Sequence, residues 1–253
     1  MKSNTVISFS GLGHAYVSGR WIFRHYTEQV ERGTIFVVLG PNGCGKTTLL
    51  NILLGLITPT AGKIHVEGNM AFVPQLFNVG FDYSVMDMVL MGRARQIGWF
   101  SQPSKNDERA VRDALYRVGM SDYAERPFHE LSGGQRQLVI LARALVSGAE
   151  LLIMDEPTSA LDLKNQEFVL RYIRQLSCEE GLTVLFTTHH PHHALAVADR
   201  VLLMLNNGYV CTTPKEALTE ENLRLLYGID MKYITYTHRG MEAATVIPVY
   251  DIK

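Results

Sequence analysis

Residues 40–48 read GPNGCGKTT, and the segments on either side of this turn restrict the fold more than anything else in the chain. Before it, TIFVVL (34–39) is a continuous apolar run, the pattern of a strand buried on both faces. After it, TTLLNILLGL places Leu49, Leu50, Leu53 and Leu54 at helical spacing. Strand, glycine turn and amphipathic helix in this order fit G-x-x-x-x-G-K-[ST], with Gly40, Gly45, Lys46 and Thr47 at the fixed positions. Glycines let successive backbone N–H groups curl around an anion. The helix N-terminus adds partial positive charge. The turn formed by Gly40, Pro41, Asn42, Gly43, Cys44, Gly45, Lys46, Thr47 and Thr48 therefore reads as a phosphate cradle. Lys46 can reach the outer phosphates of a nucleotide, and the Thr47 hydroxyl can ligate Mg²⁺. Cys44 reads as a small residue that fits the loop; the alternative is a thiol activated by the helix terminus.

Around this unit the chain alternates. Residues 3–10 and 20–30 mix β-branched and aromatic with polar residues and read as strands, with a turn at Ser18-Gly19. Residues 63–66 and 70–73 read as two short strands. From about 80 to 148 the apolar spacing becomes helical through VMDMVLMG, NDERAVRDALYRVGM and GQRQLVILARALV, which predicts an inserted helical lobe. Strand and helix then alternate again: LLIMD (151–155), a helix over 164–177, TVLFTT (183–188), a helix from Pro191, and VLLML (201–205) turning at Asn207-Gly208. The expected fold is α/β, a mostly parallel core sheet with an N-terminal antiparallel β subdomain and an inserted helical subdomain. We expect a single domain over 1–253. Its tail, about 215–253, holds a short helix and a hairpin through KYITYTH and ATVIPVY.

A second element bears on phosphate chemistry. In LLIMDEP (151–157) four apolar residues precede Asp155, which places a carboxylate at the C-terminal end of a buried strand. Ligands of open parallel sheets gather at that edge. Asp155 is suited to hold the hydration shell of Mg²⁺, and Glu156 to polarise an attacking water as general base. The 253 residues carry 24 Lys+Arg against 25 Asp+Glu, a net charge of −1, so nucleic acid is not the expected main partner. Three cysteines, Cys44, Cys178 and Cys211, cannot build a disulfide framework, which fits a reducing compartment. The N-terminus has no apolar signal core, and no stretch reaches the ~20 apolar residues of a membrane span. A soluble chain is expected, able to sit on a membrane protein.

LSGGQRQ (131–137) completes the pattern. Together with the phosphate loop and LLIMDEP it resembles the signature sequence of the ATP-binding-cassette (ABC) ATPases, over most of the chain from about Ser8 to Gly208. The resemblance implies ATP and Mg²⁺ as ligands and a head-to-tail homodimer. In that dimer Ser132, Gly133 and Gly134 close on the ATP held by the other subunit. It implies that Gln75, in FVPQ, touches Mg²⁺ or the attacking water. It implies that Asp162, in SALD, lies at the dimer seam, that Tyr16 stacks on adenine with Trp21 as the rival, and that His189 contacts the γ-phosphate. His190 departs from the usual pattern, in which an Asp commonly follows that histidine. HHPHH (189–193) reads as one functional histidine and three solvated ones, since sequential histidines on a turn rarely converge on a metal.

One cassette without membrane helices resembles an importer subunit. Its implied partners are polytopic permease subunits and, through them, an external solute-binding protein, at the cytoplasmic face of the plasma membrane. YSVMDMVLMGR and the short interval from Gly62 to Gln75 resemble importers of metals, metal chelates such as iron–siderophore, haem and cobalamin, and oxyanions such as molybdate. Val85, Met88, Val89 and Met91 are expected mostly in the core, with some lining a permease groove. The alternative is a soluble ABC ATPase of assembly or regulation, as in Fe–S cluster maturation.

Overall fold

The computed structural model describes residues 4–75, 82–98 and 101–251. The chain separates into two compact units, Met1–Glu67 with Leu170–Lys253, and Gly68–Val169.

In the first unit, β1 (Thr5–His14) lies between β2 (Phe23–Glu31) and β4 (Ala61–Val66) in an antiparallel sheet. Between β2 and β4 come β3 (Ile35–Leu39) and α1 (Lys46–Leu53). β1 runs on to His14 beyond the expected end at residue 10, and β2 starts only at Phe23 rather than at 20. The two pair through Leu12↔Tyr26 and His14↔Phe23, so β2 spends three residues where β1 spends two. That bulge bends the hairpin. The rest of this unit follows residue 170. β7 (Thr183–Thr188), α6 (Pro191–Val197), β8 (Arg200–Leu205) and β9 (Gly208–Thr212) are followed by α7 (Pro214–Ala217) and α8 (Glu220–Tyr227). The closing hairpin is β10 (Met231–His238) with β11 (Met241–Pro248). β3 pairs in parallel with both β7 and β8, and β9 adds antiparallel to β8. Every residue of β3 and of β7 is buried, as the apolar run at 34–39 predicts for β3. The expected tail hairpin forms in full register; β9 and α7 were not separated from their neighbours by sequence pattern alone.

The second unit holds β5 (Met70–Val73) and β6 (Leu151–Met154), paired in parallel. Between them in sequence run α2 (Val85–Leu90), α3 (Lys105–Arg117) and α4 (Gly133–Leu145). The start of the expected helical lobe at Gly80, and Phe81, lie outside the described residues. Each of the three helices opens on a capping box: Ser84 with Asp87, Ser104 with Asp107, and Ser132 with Gln135. A serine hydroxyl takes the N3 backbone N–H while the N3 side chain takes the N-cap N–H, satisfying two orphan donors at once. Arg93 Nε also donates to Asp107, at 2.5 Å. The Ser104 hydroxyl, then the Arg93 guanidinium, hold the Asp107 carboxyl down at about 2.

Val85, Met88 and Val89 are fully buried and Met91 is half-buried. The expectation of core packing holds for the first three, and none of those three is placed to line a permease groove. The 3-10 turn Met91–Arg93 that follows α2 meets α4 closely enough that a Cβ on Gly92 would clash with the Arg143 carbonyl oxygen and lie 2.7 Å from Val146 Cγ2. Gly92→Ala should therefore destabilise the chain by about 1–3 kcal/mol through overpacking against backbone. An unchanged denaturation midpoint would contradict this close approach. Among the described residues no helix is long and apolar enough to cross a membrane.

Candidate functional site

The phosphate loop joins the C-terminal end of β3 to the first turn of α1. Gly45 stands at the N-cap of α1 with φ 106°, a region that L side chains avoid. A Cβ there would also strike Ile22 Cγ2. Gly43 is left-handed too, and the space where its Cβ would stand is open for 4 Å. The loop therefore keeps its backbone unobstructed by a side chain at Gly43 and leaves no room for one at Gly45. Lys46 is buried, and its Nζ donates to the carbonyl oxygens of Gly40 at 2.9 Å and Pro41 at 3.0 Å. The ammonium is thus held over the loop it closes. Thr47 is exposed, and Thr48 is buried behind it.

Cys44 Sγ donates to Met204 Sδ at 4.0 Å, and a Cβ on Gly40 would come within 2.6 Å of that sulfur. The thiol is packed between β8 and the loop start, which favours its reading as a small fitting residue. Tyr16 Oη lies 3.2 Å from Thr48 Oγ1, and its ring stands edge-on to His14. Most of that ring is exposed, beside the first turn of α1. Trp21 instead lines a separate cavity of about 530 Å³ with Tyr26, Asn206 and Tyr209.

In the second unit Asp155 follows the last residue of β6, and both Asp155 and Glu156 are buried. Glu156 has φ 45°, a left-handed conformation that costs a non-glycine residue about 1–3 kcal/mol. The Ser159 hydroxyl and N–H both donate to the Glu156 carbonyl and fix that turn. Gln75 Nε2 donates to Glu156 Oε2 at 3.3 Å. The two residues, 81 positions apart, are thereby brought together as a pair. Gln137 is buried, and its Nε2 donates to the Pro74 carbonyl beside Gln75. Sequence reasoning did not single out Gln137; its sequence neighbours in the LSGGQRQ motif carried the only available signal.

Ser132 is the N-cap of α4, and Gly133 and Gly134 form its first turn, as expected. A Cβ on Gly134 would press to 3.1 Å from Leu161 Cδ2, so a larger residue would push the two segments apart. Asp162 is exposed, and its Oδ1 accepts the N–H of Asn165 at the start of α5 (Leu163–Glu180).

His189 and His190 are half-buried between β7 and α6, and their ring centroids lie 3.9 Å apart. The expectation of three solvated histidines is corrected here. His192 is exposed, but His193 is buried at 2% exposure on the inner face of α6 with Ala194 and Val197. Burial, reinforced by His192, His190 and His189, pushes the His193 imidazole down to about 3. Among the described residues no group of three or more His, Cys, Asp or Glu is arranged to hold a metal ion.

The low value of His193 has a consequence for stability. An unfolded histidine titrates near 6.5. Between pH 6.5 and 3 the unfolded chain binds a proton that the native chain does not. Stability from this group is complete above pH 6.5 and falls with acidification, by about 2 kcal/mol by pH 5. His193→Gln should flatten that part of the slope. Equal pH slopes in urea denaturation for the two proteins would refute it.

The family model described as ABC transporter matches residues 23–159, more than half of the chain. The chain belongs to the ABC transporter family. It is 42% identical to the molybdate import ATP-binding protein MolC of Haemophilus influenzae, over 90% of each chain. It is 34% identical to the iron(3+)-hydroxamate import ATP-binding protein FhuC of Bacillus subtilis, again over 90% of each. Among solved structures, the cassette matches a chain of an inward-facing metal-chelate type ABC transporter. That match has TM-score 0.92 and 40% identity, and it covers 98% of this chain and 99% of the other. The cassette is an ATPase with the mostly parallel core sheet of its family.

The residues present suit a nucleotide with a hard cation. In the first unit Thr47 offers a hydroxyl; in the second, taken by itself, Asp155 offers a carboxylate and Gln75 an amide oxygen; all are oxygen donors of the kind that Mg²⁺ takes alongside water and substrate phosphates. The loop backbone at the N-terminus of α1, with the Lys46 ammonium held over it, has the sign of charge that a phosphate chain requires.

Proposed function

We propose that this cassette is the ATP-hydrolysing subunit of a binding-protein-dependent importer for a metal, a metal chelate or a metal oxyanion. It works as a homodimer docked on permease subunits at the cytoplasmic face of the membrane, with an external binding protein delivering the solute. The observation that carries this reading is similarity over nine-tenths of the chain to import subunits for molybdate and iron-hydroxamate, with every phosphate motif intact.

Tyr16 stacks on adenine. The loop amides and Lys46 hold the phosphate charge. Ser132, Gly133 and Gly134 of a second copy close on the γ-phosphate, with Asp162 at the seam between copies. Thr47, Gln75 and, through water, Asp155 would hold Mg²⁺, which when bound would supply neutralisation of the phosphate charge. A water oxygen bonds to the γ-phosphorus as the bond to the bridging oxygen breaks, and Glu156 takes the water proton. Gln75 orients Glu156 through their hydrogen bond, and His189 faces the γ-phosphate. The residues act by positioning and charge, with no covalent bond to the protein.

The test is capture of the tagged chain from detergent-solubilised membranes, with partners identified by mass. A polytopic permease in equimolar amount is expected. Soluble partners alone would move the reading to an assembly or regulatory ATPase.

A further inference from the structure

His189 sits in a two-residue link with no ladder of its own. β7 ends at Thr188, and α6 begins at Pro191. The position of its imidazole therefore depends on what holds the link. On one side the Gly40 N–H of the phosphate loop donates to the Thr188 carbonyl at 3.3 Å. Within the link, the His190 N–H donates to Thr188 Oγ1 at 3.0 Å. On the other side, Tyr227 Oη donates to the His189 carbonyl at 2.9 Å.

Tyr227 is the last residue of α8, and Gly228 follows it in the left-handed region (φ 71°), ending the helix there. α8 is itself fixed. Thr219 caps its N-terminus, Leu223 and Leu226 are buried, and Arg224 pairs with Asp230 at 3.2 Å. Burial, with the Cys44 thiol adding to it, raises the Tyr227 phenol above its usual range, so it remains a donor throughout the working pH range.

We infer that Tyr227 is a positioning residue for His189, through which the carboxy-terminal segment sets the placement of the switch histidine. This rests on the proposed role of His189. A phenol hydroxyl shielded from water needs a partner whatever its role; what marks this one is the partner it takes. Here its one polar atom reaches the backbone of the residue that faces the γ-phosphate, from a segment that follows the phosphate motifs in sequence. The carboxy-terminal segment is thereby more than a cover for the sheet.

The experiment compares kcat and KM for ATP in the full chain, Tyr227→Phe, His189→Ala and the double variant, together with Arg224→Ala as a control on the same helix. Tyr227→Phe keeps the ring and removes only the hydroxyl. It should lower kcat about three- to tenfold, the worth of one hydrogen bond, with KM within twofold of the parent. In the His189→Ala background the same substitution should change kcat by less than twofold, because the residue it acts through is gone. Arg224→Ala removes only an exposed ion pair on that helix and should leave kcat within twofold.

Full kcat in Tyr227→Phe overturns the inference. So does an equal loss with and without His189, or a comparable loss of kcat in Arg224→Ala. Full kcat in His189→Ala alone would instead overturn the reading of His189 itself.

Discussion

Glu156→Gln should lower ATP turnover by at least about a hundredfold, the lower end of what a positioned general base contributes. Binding of ATP should stay within about threefold of the parent. The reasons are local. Glutamine has the shape of glutamate and can still accept the Gln75 amide through its Oε1, so the pair at 3.3 Å survives. The left-handed backbone at φ 45° and its two bonds from Ser159 do not involve the carboxylate. What is lost is the ability to take a proton from water. Without that step, ATP-bound dimers should accumulate and elute as dimers in gel filtration, whereas the parent should return to its starting state as ATP is consumed. Turnover within threefold of the parent would remove Glu156 from the role of base.

Lys46→Ala should fail earlier, at binding. The ammonium is buried and already turned over the loop, bonded to Gly40 and Pro41 carbonyls. A phosphate chain entering the cradle meets a cation held in place, so little ordering entropy remains to be lost. Hydrogen bonds to charged groups are worth about 1.5–3 kcal/mol. One or two such bonds correspond to a loss of ATP affinity of roughly a hundredfold. Titration with a fluorescent nucleotide reads this directly. Unchanged affinity would show that the backbone amides alone hold the phosphates. The two variants separate the functions of the site. One binds ATP with turnover largely lost, and the other loses most of its affinity.

The phosphate loop was legible in the sequence because its chemistry is local. Glycines, a lysine and a hydroxyl at fixed spacing between a buried strand and an amphipathic helix leave few other conformations open. The capping boxes that start α2, α3 and α4 are local as well, a serine followed three positions later by Asp or Gln, yet sequence reasoning did not single them out. Burial of the 34–39 and 151–154 runs follows from unbroken apolar composition. Contacts made across the fold carry no such local mark. Nothing near Tyr227 in sequence says that its hydroxyl reaches His189, 38 positions away. Nor does HHPHH announce that His193 turns inward while His192 faces water. One residue of helical rotation, about 100°, separates them, and only the packing of α6 decides which faces the core. Motif residues are fixed by the ligand they serve, and so can be read in order along the chain. The groups that hold them in place are chosen by proximity in space, which the tertiary structure alone supplies.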